Sequence, residues 1–319
     1  MLRGSVLSLA RLISKVERGD ADVPQVMKSI FPHLGKGYCI GITGPPGSGK
    51  STIVDKLTGV MRRDGLTVGI IAADPTSPFT GGAVLGDRIR MQQHYLDEGV
   101  FIRSMATRGS HGGLPRNTGS VIKLLDAFGK DFILVETVGV GQTELDIMQN
   151  ADTVVVVLVP EAGDTIQTMK AGLFEIADIF AVNKSDRPGA DGLAGELKTM
   201  VQLRSGDEWW LVPVVSTEAV NNIGIDELYR QIINHRRALE ETGRLQGRRQ
   251  QQRRNEFLEI VERRISDELM RLVEDDEELS RRMSLVEAGK VDPYSAADEI
   301  LRLGTLPETI SLKHLKKRQ

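Results

Sequence analysis

Residues 44–51, Gly-Pro-Pro-Gly-Ser-Gly-Lys-Ser, constrain the fold of this chain more than any other segment. They fit the pattern G-x-x-x-x-G-K-[ST] in full, follow the apolar run 38–43 and precede a segment with helical spacing at 52–63. In a strand–loop–helix unit, such glycines let backbone N–H groups turn towards a phosphate, and the helix N-terminus favours an anion. A glycine-rich turn without a ligand does not explain the Lys-Ser-Thr that closes the segment. The pattern therefore predicts a nucleotide-phosphate loop.

Two side chains of this loop have distinct predicted roles. Lys50 can reach the β- and γ-phosphates of a nucleotide, which makes it a candidate catalytic residue. The hydroxyl of Ser51 is placed to ligate Mg²⁺. The predicted phosphate-binding residues are Gly44, Pro45, Pro46, Gly47, Ser48, Gly49, Lys50, Ser51 and Thr52.

Apolar runs alternate with amphipathic segments from residue 37 to about residue 235. The runs are short, often β-branched and mostly without polar alternation, which is typical of strands covered on both faces. This alternation predicts an α/β fold of the P-loop NTPase class with a mostly parallel, doubly wound sheet. The predicted strands are 38–43, 67–74, 100–104, 132–137, 153–160, 179–183 and 211–215.

Both ends of the chain have a helical pattern. Residues 1–36 form a predicted N-terminal helical extension that packs on the domain surface, and residues 37–235 form the P-loop domain. Residues 236–319 form a predicted C-terminal helical arm, in which residues 236–282 are rich in Arg, Glu and Gln, as expected of long helices with solvated charged faces. We interpret the basic run 248–254 as part of such a face, or of a charged face near a dimer seam. The predicted apolar face of the first helix consists of Leu7, Leu9, Leu12, Ile13 and Val16.

Acidic residues at predicted strand ends are the candidates for a magnesium site. Glu136 ends an apolar strand, where ligands bind in open parallel sheets, and Gly139 follows it with room to approach a γ-phosphate. Asp74 has the equivalent position on its own strand, although an Asp-Pro turn explains it equally well. Asp87 lies in a Gly-rich loop, where it is a candidate ligand, a helix N-cap, or both. Oxygen ligands of this kind suit Mg²⁺.

The tetrapeptide Asn-Lys-Ser-Asp at 183–186 follows a predicted strand and decides between guanine and adenine. Guanine presents two donors that one carboxylate, here Asp186, can accept, whereas adenine offers an acceptor at the same place. Asn183 can bind the base and join the loops, and the stem of Lys184 can lie along the ring. Ser216 and Thr217 are weaker candidates for the base site. Together with the phosphate loop, this motif predicts a protein that binds GTP and GDP.

Composition excludes several other classes. The net charge is −3 and the sequence pI is about 6.0, so no global basic field predicts a nucleic-acid or anionic-membrane partner. Cys39 is the single cysteine, which rules out a disulfide within the chain and a multi-cysteine zinc site. It lies in an apolar run and is expected to be a buried, unreactive thiol. The sequence has neither a signal-peptide pattern nor a membrane-spanning run, so a cytoplasmic location is expected.

Five segments together resemble the MeaB/ArgK family of GTPases, and the human methylmalonic aciduria type A protein is similar. The resemblance is strong over roughly residues 35–240 and looser over the helical ends. The family acts as metallochaperones of adenosylcobalamin-dependent acyl-CoA mutases. The segments that carry the resemblance are 44–52, 74–91, 108–113, 136–142 and 183–186.

This resemblance implies a homodimer assembled through the C-terminal helical arm, and an acyl-CoA mutase as partner, with an adenosyltransferase as a second candidate. It also implies a Mg²⁺ site and a third switch loop at 160–170 that reports the nucleotide state to the mutase. Thr165, Ile166, Thr168 and Met169 depart from the family pattern there, and a helix N-terminus is a compatible interpretation. The implied Mg²⁺ ligands are Ser51, Asp74, Asp87 and Glu136, with Asp87 and Glu136 also catalytic, and the implied switch residues are Asp164, Gln167 and Lys170.

The hydrolytic apparatus is incomplete by sequence. No Gln directly follows Gly139 to orient the attacking water, and Gln142 lies three residues further along. Slow intrinsic GTP hydrolysis, accelerated by a partner, is therefore expected. Arg88 and Arg108 are candidate charge stabilisers or ordinary surface ion-pair residues.

Three functional classes remain in competition: a mutase chaperone, a protein kinase linked to amino-acid transport, and a nickel-insertion GTPase. Five scattered histidines and one cysteine disfavour the nickel class. The chain also has no Asp-x-His-x-x-Gly stretch of the kind that binds cobalamin, so it is not expected to be the mutase itself.

Overall fold

Seven parallel strands form one sheet in the order β3-β2-β4-β1-β5-β6-β7. The structure is a computed structural model that describes residues 1–74, 91–107, 114–115, 117–139, 147–160, 172–204 and 209–302. The predicted parallel α/β sheet is confirmed. The strands are β1 (Tyr38–Thr43), β2 (Val68–Asp74), β3 (Val100–Ala106), β4 (Phe132–Glu136), β5 (Thr153–Leu158), β6 (Ile179–Asn183) and β7 (Val214–Thr217).

The last strand begins later than predicted. Residues 211–215 were expected to form it, but β7 starts at Val214. Pro213 has no N–H to give to the ladder, although its carbonyl accepts from Phe180 N at 2.9 Å, and Leu211 is 62% exposed. The apolar run is therefore partly a connection that precedes the strand.

Helices pack on both faces of the sheet, and helices also stand before the first strand and after the last strand in the sequence. The helix predicted at 52–63 after the phosphate loop is present, but it begins two residues earlier, at Lys50. The helices are α1 (Val6–Arg18), α2 (Val23–Ile30), α3 (Lys50–Arg63), α4 (Thr118–Phe128), α5 (Gly172–Ile176), α6 (Ala190–Arg204), α7 (Ile225–Glu241), α8 (Arg244–Asp275), α9 (Glu277–Glu287) and α10 (Pro293–Arg302).

Two hydrophobic clusters, one on each side of the sheet, form the core. One cluster joins α1, α4 and α6 to the sheet, and the other joins α3 and α7 to its opposite face. Strands β1, β2, β4, β5 and β6 are buried along their whole length, which explains why they are near-continuous apolar runs in the sequence. Cys39 is buried in the first cluster, and burial raises the pKa of its thiol, as expected of an unreactive cysteine.

Helix α1 packs through Leu9, Ile13 and Val16, each at most 2% exposed. Leu7, which was placed on the same apolar face, is 61% exposed. Two residues of helix correspond to a rotation of about 200°, so Leu7 faces away from Leu9. Arg103 of β3 pairs with Glu17 of α1, which adds an ionic contact between this helix and the sheet.

The first two arginines of the basic run 248–254 are not part of a solvated face, contrary to the prediction. Arg248 forms two hydrogen bonds with Asp178, of 2.8 and 2.9 Å, and Arg249 forms two with Asp152, of 2.8 and 2.7 Å. Both aspartates precede strands of the sheet. The second turn of α8 is thus bound to the residues that precede β5 and β6.

The chain divides into two compact units, residues 1–250 and 251–319. Within the second unit, Asp276 caps α9 by accepting from the backbone N–H groups of Glu278 and Leu279. An ion pair between Arg282 and Glu299 joins α9 to α10. Over the described parts of the chain, no helix is both long and apolar enough to cross a membrane.

Candidate functional site

The carboxyl edge of the sheet brings together the strand-end residues that the sequence singled out. In a parallel sheet this edge is where ligands bind. Neighbouring strands β2 and β4 end in Asp74 and Glu136, each 5% exposed. On the other side of β1, strands β6 and β7 end in Asn183 and Thr217. The phosphate loop emerges from β1 between these two pairs.

The phosphate loop depends on glycines at positions where a side chain does not fit. Gly44 has φ of +139°, and a Cβ there would lie 2.0 Å from the carbonyl oxygen of Val157. Gly49 has φ of +91°, and a Cβ there would lie 2.3 Å from Nδ2 of Asn183. The loop therefore lies directly against β5 on one side and the guanine motif on the other.

Lys50 is 6% exposed, and its ammonium group lies over the loop that precedes it. The Nζ atom donates to the carbonyl oxygens of Gly44 and Pro45 at 2.9 and 3.1 Å. A Cβ on Gly139 would lie 2.5 Å from this Nζ, so the backbone after β4 passes next to it. The ammonium group, the start of the phosphate loop and the backbone of Gly139 are thus adjacent.

Ser51 and Glu136, two of the predicted Mg²⁺ ligands, are in direct contact. Ser51 Oγ donates to Glu136 Oε1 at 2.7 Å, and both side chains are buried. Because Asp74 ends the neighbouring strand, this corner supplies hard oxygen donors from a hydroxyl and two carboxylates. That donor set fits Mg²⁺, which binds protein through a few oxygens and keeps several waters.

The fourth predicted ligand, Asp87, lies outside the described residues. So do the predicted switch residues Asp164, Gln167 and Lys170, together with Gln142, Arg88 and Arg108. Among the residues that the structure describes, no group of three or more His, Cys, Asp or Glu side chains could hold a metal ion.

Asn183 joins the guanine motif to both neighbouring loops. Its Nδ2 donates to the carbonyl oxygen of Ser48 in the phosphate loop at 2.8 Å. Its Oδ1 accepts from Thr217 Oγ1 and from Ala219 N, both at 3.1 Å. Since Asn183 is 3% exposed, these bonds are shielded from water.

The rest of the guanine motif is open to a ligand. Lys184 has φ of +58°, an uncommon left-handed conformation that turns the chain out of β6. Ser185 N donates to the carbonyl oxygen of Thr217 at 3.0 Å, which holds the motif next to the end of β7. Asp186 and Ser216 are exposed. A carboxylate on a fixed backbone and open to solvent is suited to accept from a base.

One contact at this edge was not anticipated from the sequence. Thr43, the last residue of β1, and Thr137, which follows β4, share a hydroxyl–hydroxyl hydrogen bond of 2.9 Å. Both are at most 1% exposed, and the bond ties the start of the phosphate loop to the strand that ends in Glu136. A polar residue at the end of each of two apolar runs is the signal that could have indicated this pair.

Comparison with known proteins shows which family this chain resembles. The model of the family described as methylmalonyl Co-A mutase-associated GTPase MeaB matches residues 9–274. The chain is 52% identical over 308 residues to a protein of Pyrococcus abyssi, covering 95% of this chain and 94% of that one. It is 37% identical over 259 residues to the GTPase ArgK of Escherichia coli, covering 78% of each chain.

Two further similarities extend this result. The mouse protein named methylmalonic aciduria type A homolog, mitochondrial, is 31% identical over 269 residues, which cover 83% of this chain and 65% of that one. A crystal structure of a protein described as LAO/AO transport system kinase superposes with a TM-score of 0.64 at 25% identity, covering 92% of this chain and 97% of that one. With the family model matching most of its length and relatives above 30% identity, the chain belongs to the MeaB family of GTPases.

Proposed function

We propose that this GTPase is a Mg²⁺-dependent chaperone that gates adenosylcobalamin loading of an acyl-CoA mutase of the methylmalonyl-CoA type and protects that mutase. The name of the matching family, which associates it with this mutase, supports the choice of partner. The observation that carries the nucleotide-switch part is the Ser51–Glu136 contact beside Lys50. It joins the phosphate-loop helix to the end of the strand that precedes Gly139. In this proposal the backbone of Gly139 binds the γ-phosphate.

The chemistry proposed for the site is phosphoryl transfer to water. Mg²⁺ held by Ser51, Glu136 and Asp74, with Asp87 as a further ligand, would neutralise charge on the phosphate oxygens. Lys50 would release the carbonyl oxygens of its own loop and bind the β- and γ-phosphates. Asp186 would accept from the two guanine donors and reject adenine. The described residues in these roles, Lys50, Ser51, Asp74, Glu136 and Asp186, lie at or just beyond one edge of the sheet.

Hydrolysis is proposed to be slow until a partner orders the loops around the γ-phosphate. In the sequence Gly139 is followed by Val140, which cannot orient a water molecule. The partner would be the mutase, or an adenosyltransferase that supplies it. GTP then serves as a timing signal for cofactor delivery.

A homodimer is part of this proposal. Within the second unit, α8 exposes several large apolar side chains, and an isolated solvated helix has no reason to do so. These are Phe257 (63% exposed), Leu258 (46%), Ile260 (42%), Ile265 (40%) and Met270 (50%). A second copy of this arm would cover them.

The proposal can be tested by changing the nucleotide that the chaperone binds. In Asp186→Asn the amide can donate to the extra carbonyl of xanthine, so the variant should respond to xanthosine triphosphate and lose its response to GTP. Activity of the mutase would be measured during loading with adenosylcobalamin, with wild-type chaperone and either nucleotide as matched controls. A mutase whose loading ignores the nucleotide in all four combinations overturns the chaperone proposal.

A protein kinase is the second candidate, favoured by the similarity to a protein described as a transport system kinase. A transfer reaction would move the γ-phosphate of GTP to a protein side chain instead of water. Incubation with γ-labelled GTP and a partner protein captured by this chain from a cell lysate separates the two, because the chaperone releases all label as inorganic phosphate. Label retained on the partner would favour the kinase.

A further inference from the structure

His94 and Asp55 form a buried pair beside the helix that follows the phosphate loop. Their exposed fractions are 8% and 6%. The Nε2 atom of His94 lies 3.1 Å from the carbonyl oxygen of Asp55 and 3.4 Å from its Oδ1. Gln93 donates to the other carboxylate oxygen at 2.6 Å. Two consecutive side chains of the turn at 91–94 therefore converge on one carboxylate of α3.

This carboxylate is one helical turn from the predicted metal ligand on the same helix. Asp55 follows Ser51 by four residues, so the two side chains lie on the same face of α3. Met91, at the start of the turn, is fully buried in the cluster that contains α3. The turn is thus fixed to α3 at two points, a buried apolar one and a buried polar one.

The charges around His94 favour its protonated form. The Asp55 carboxylate, 3.4 Å from Nε2, raises the pKa of His94 above its ordinary value of 6.5 against the opposing effect of burial. The bond to the Asp55 carbonyl oxygen and the charge of Asp97 add to the increase. Burial raises the pKa of Asp55, but the nearby His94 ring and the hydrogen bond from Gln93 outweigh this and the net shift is downward. Lys56 lies 3.4 Å from the same carboxylate and favours its charged form.

A second ion pair joins the same two segments farther from the nucleotide site. Arg62, at the end of α3, binds Asp97 through two hydrogen bonds of 2.8 and 2.9 Å. Seven residues, about two turns, separate Arg62 from Asp55 along the helix. The two pairs hold one chain segment to one helix, but only the His94 pair is close to the phosphate loop.

We infer that His94 is a positioning residue for GTP hydrolysis, which acts through Asp55 by fixing the turn at 91–94 against the helix that carries Lys50 and Ser51. Ser51, a proposed Mg²⁺ ligand, lies one turn before Asp55 on the face of α3 to which the turn is fixed. The inference rests on the proposed Mg²⁺ site. The pair sets how well the site holds the metal during hydrolysis and leaves guanine recognition, at the other end of the sheet edge, unchanged.

The test is single-turnover GTP hydrolysis by the full chain as a function of Mg²⁺ concentration. His94→Ala should raise the half-saturating Mg²⁺ concentration about tenfold, as loss of an outer-shell contact does. His94→Gln keeps a donor near the same place and should recover most of this loss. Arg62→Gln is the matched control, which removes the distal ion pair and should lower the melting temperature without changing the half-saturating concentration.

The pH profile separates positioning from a purely structural role. The His94–Asp55 pair is charge-assisted while His94 is protonated, so it should weaken as the pH rises through the raised pKa. Half-saturation by Mg²⁺ should therefore rise with pH in the wild type more than in His94→Gln. The inference is overturned if His94→Ala and Arg62→Gln change the half-saturating Mg²⁺ concentration equally, or if neither variant changes it. Hydrolysis that needs no Mg²⁺ in the wild type instead overturns the proposed metal site.

Discussion

Arg249 and Asp152 are joined by two parallel hydrogen bonds, which bind the second turn of α8 to the residue that precedes β5. The Asp152 side chain is 5% exposed and its Oδ2 also accepts from Cys39 N at 2.9 Å. The bond to Asp152 is the largest of the effects that raise the pKa of Arg249. This pair lies at the amino edge of the sheet, opposite to the nucleotide site, and it holds two strands and a helix together.

Asp152→Asn should therefore destabilise the protein without affecting nucleotide binding. Removing one member of a buried ion pair lowers the free energy of unfolding by about 3–5 kcal/mol. Because Arg249 is partly exposed, we expect a smaller decrease here, of about 2 kcal/mol. Urea unfolding followed by circular dichroism measures it. Arg63→Gln, which breaks an exposed pair with Asp226, is the matched control and should leave the midpoint almost unchanged. Equal midpoint shifts in the two variants would contradict the assignment.

A second prediction concerns His235, which is fully buried and bonded through Nδ1 to Thr153 Oγ1 at 2.8 Å. Burial lowers its pKa to about 4, although Asp178 acts in the opposite direction. Between pH 6.5 and 4 the unfolded chain binds the proton and the folded chain does not. Folding stability should therefore be lost as the pH falls through this range, by about 2–3 kcal/mol at pH 4.5.

His235→Gln removes this titration while keeping a polar partner for Thr153. The free energy of unfolding would be measured for both proteins at pH 7 and pH 4.5. The wild type should lose more of it on acidification than the variant, because all other groups titrate alike in the two. The same loss in both proteins would mean that His235 is protonated in the folded state.

Much of the fold was predictable from the sequence because parallel strands are buried on both faces. All seven apolar runs correspond to strands, and the helix predicted at 52–63 is α3, which begins two residues earlier. The order of the strands was not predictable, since periodicity carries no information about which strands are neighbours. The parallel sheet nevertheless brings strand-end residues such as Glu136 and Asn183 to one edge.

The amino-edge contacts were missed for a different reason. A run of arginines on a polar helix has the same composition whether it faces water or a buried carboxylate. Asp152 and Asp178 each precede an apolar strand, which is also common for a turn. Only the three-dimensional arrangement pairs Arg248 and Arg249 with them.

Gly139→Ala tests the close approach at the centre of the site. The new Cβ would lie 2.3 Å from the carbonyl oxygen of Gly44, and the φ of +81° is itself unfavourable for Ala. GTP hydrolysis should fall at least about tenfold, since misplacement of a reacting group by an ångström has such effects. Gly59→Ala in α3 meets nothing within 4 Å and should stabilise the helix by up to about 1 kcal/mol with unchanged turnover. Normal hydrolysis by the Gly139 variant would show that its backbone does not approach the γ-phosphate.

The last prediction distinguishes the bond that Asn183 donates to the phosphate loop from the bonds that it accepts from Thr217 and Ala219. Asn183→Asp keeps the oxygen that accepts from Thr217 and Ala219, but it replaces the donor to Ser48 by a carboxylate oxygen facing a carbonyl. Asn183→Ala removes all three bonds. If the link to the phosphate loop is what couples base recognition to phosphate binding, both variants should lose GDP affinity, each by about tenfold or more.

The two variants should differ in guanosine binding because only one of them keeps the contacts to Thr217 and Ala219. The Ala variant alone loses the contacts to Thr217 and Ala219, so it alone should bind guanosine, which has no phosphate, more weakly. Titration with guanosine and GDP measures the two effects separately. Guanosine binding that falls equally in both variants would mean that Asn183 serves the base directly. A loss of GDP affinity no larger than the loss of guanosine affinity would mean that the bond to Ser48 contributes nothing to the coupling.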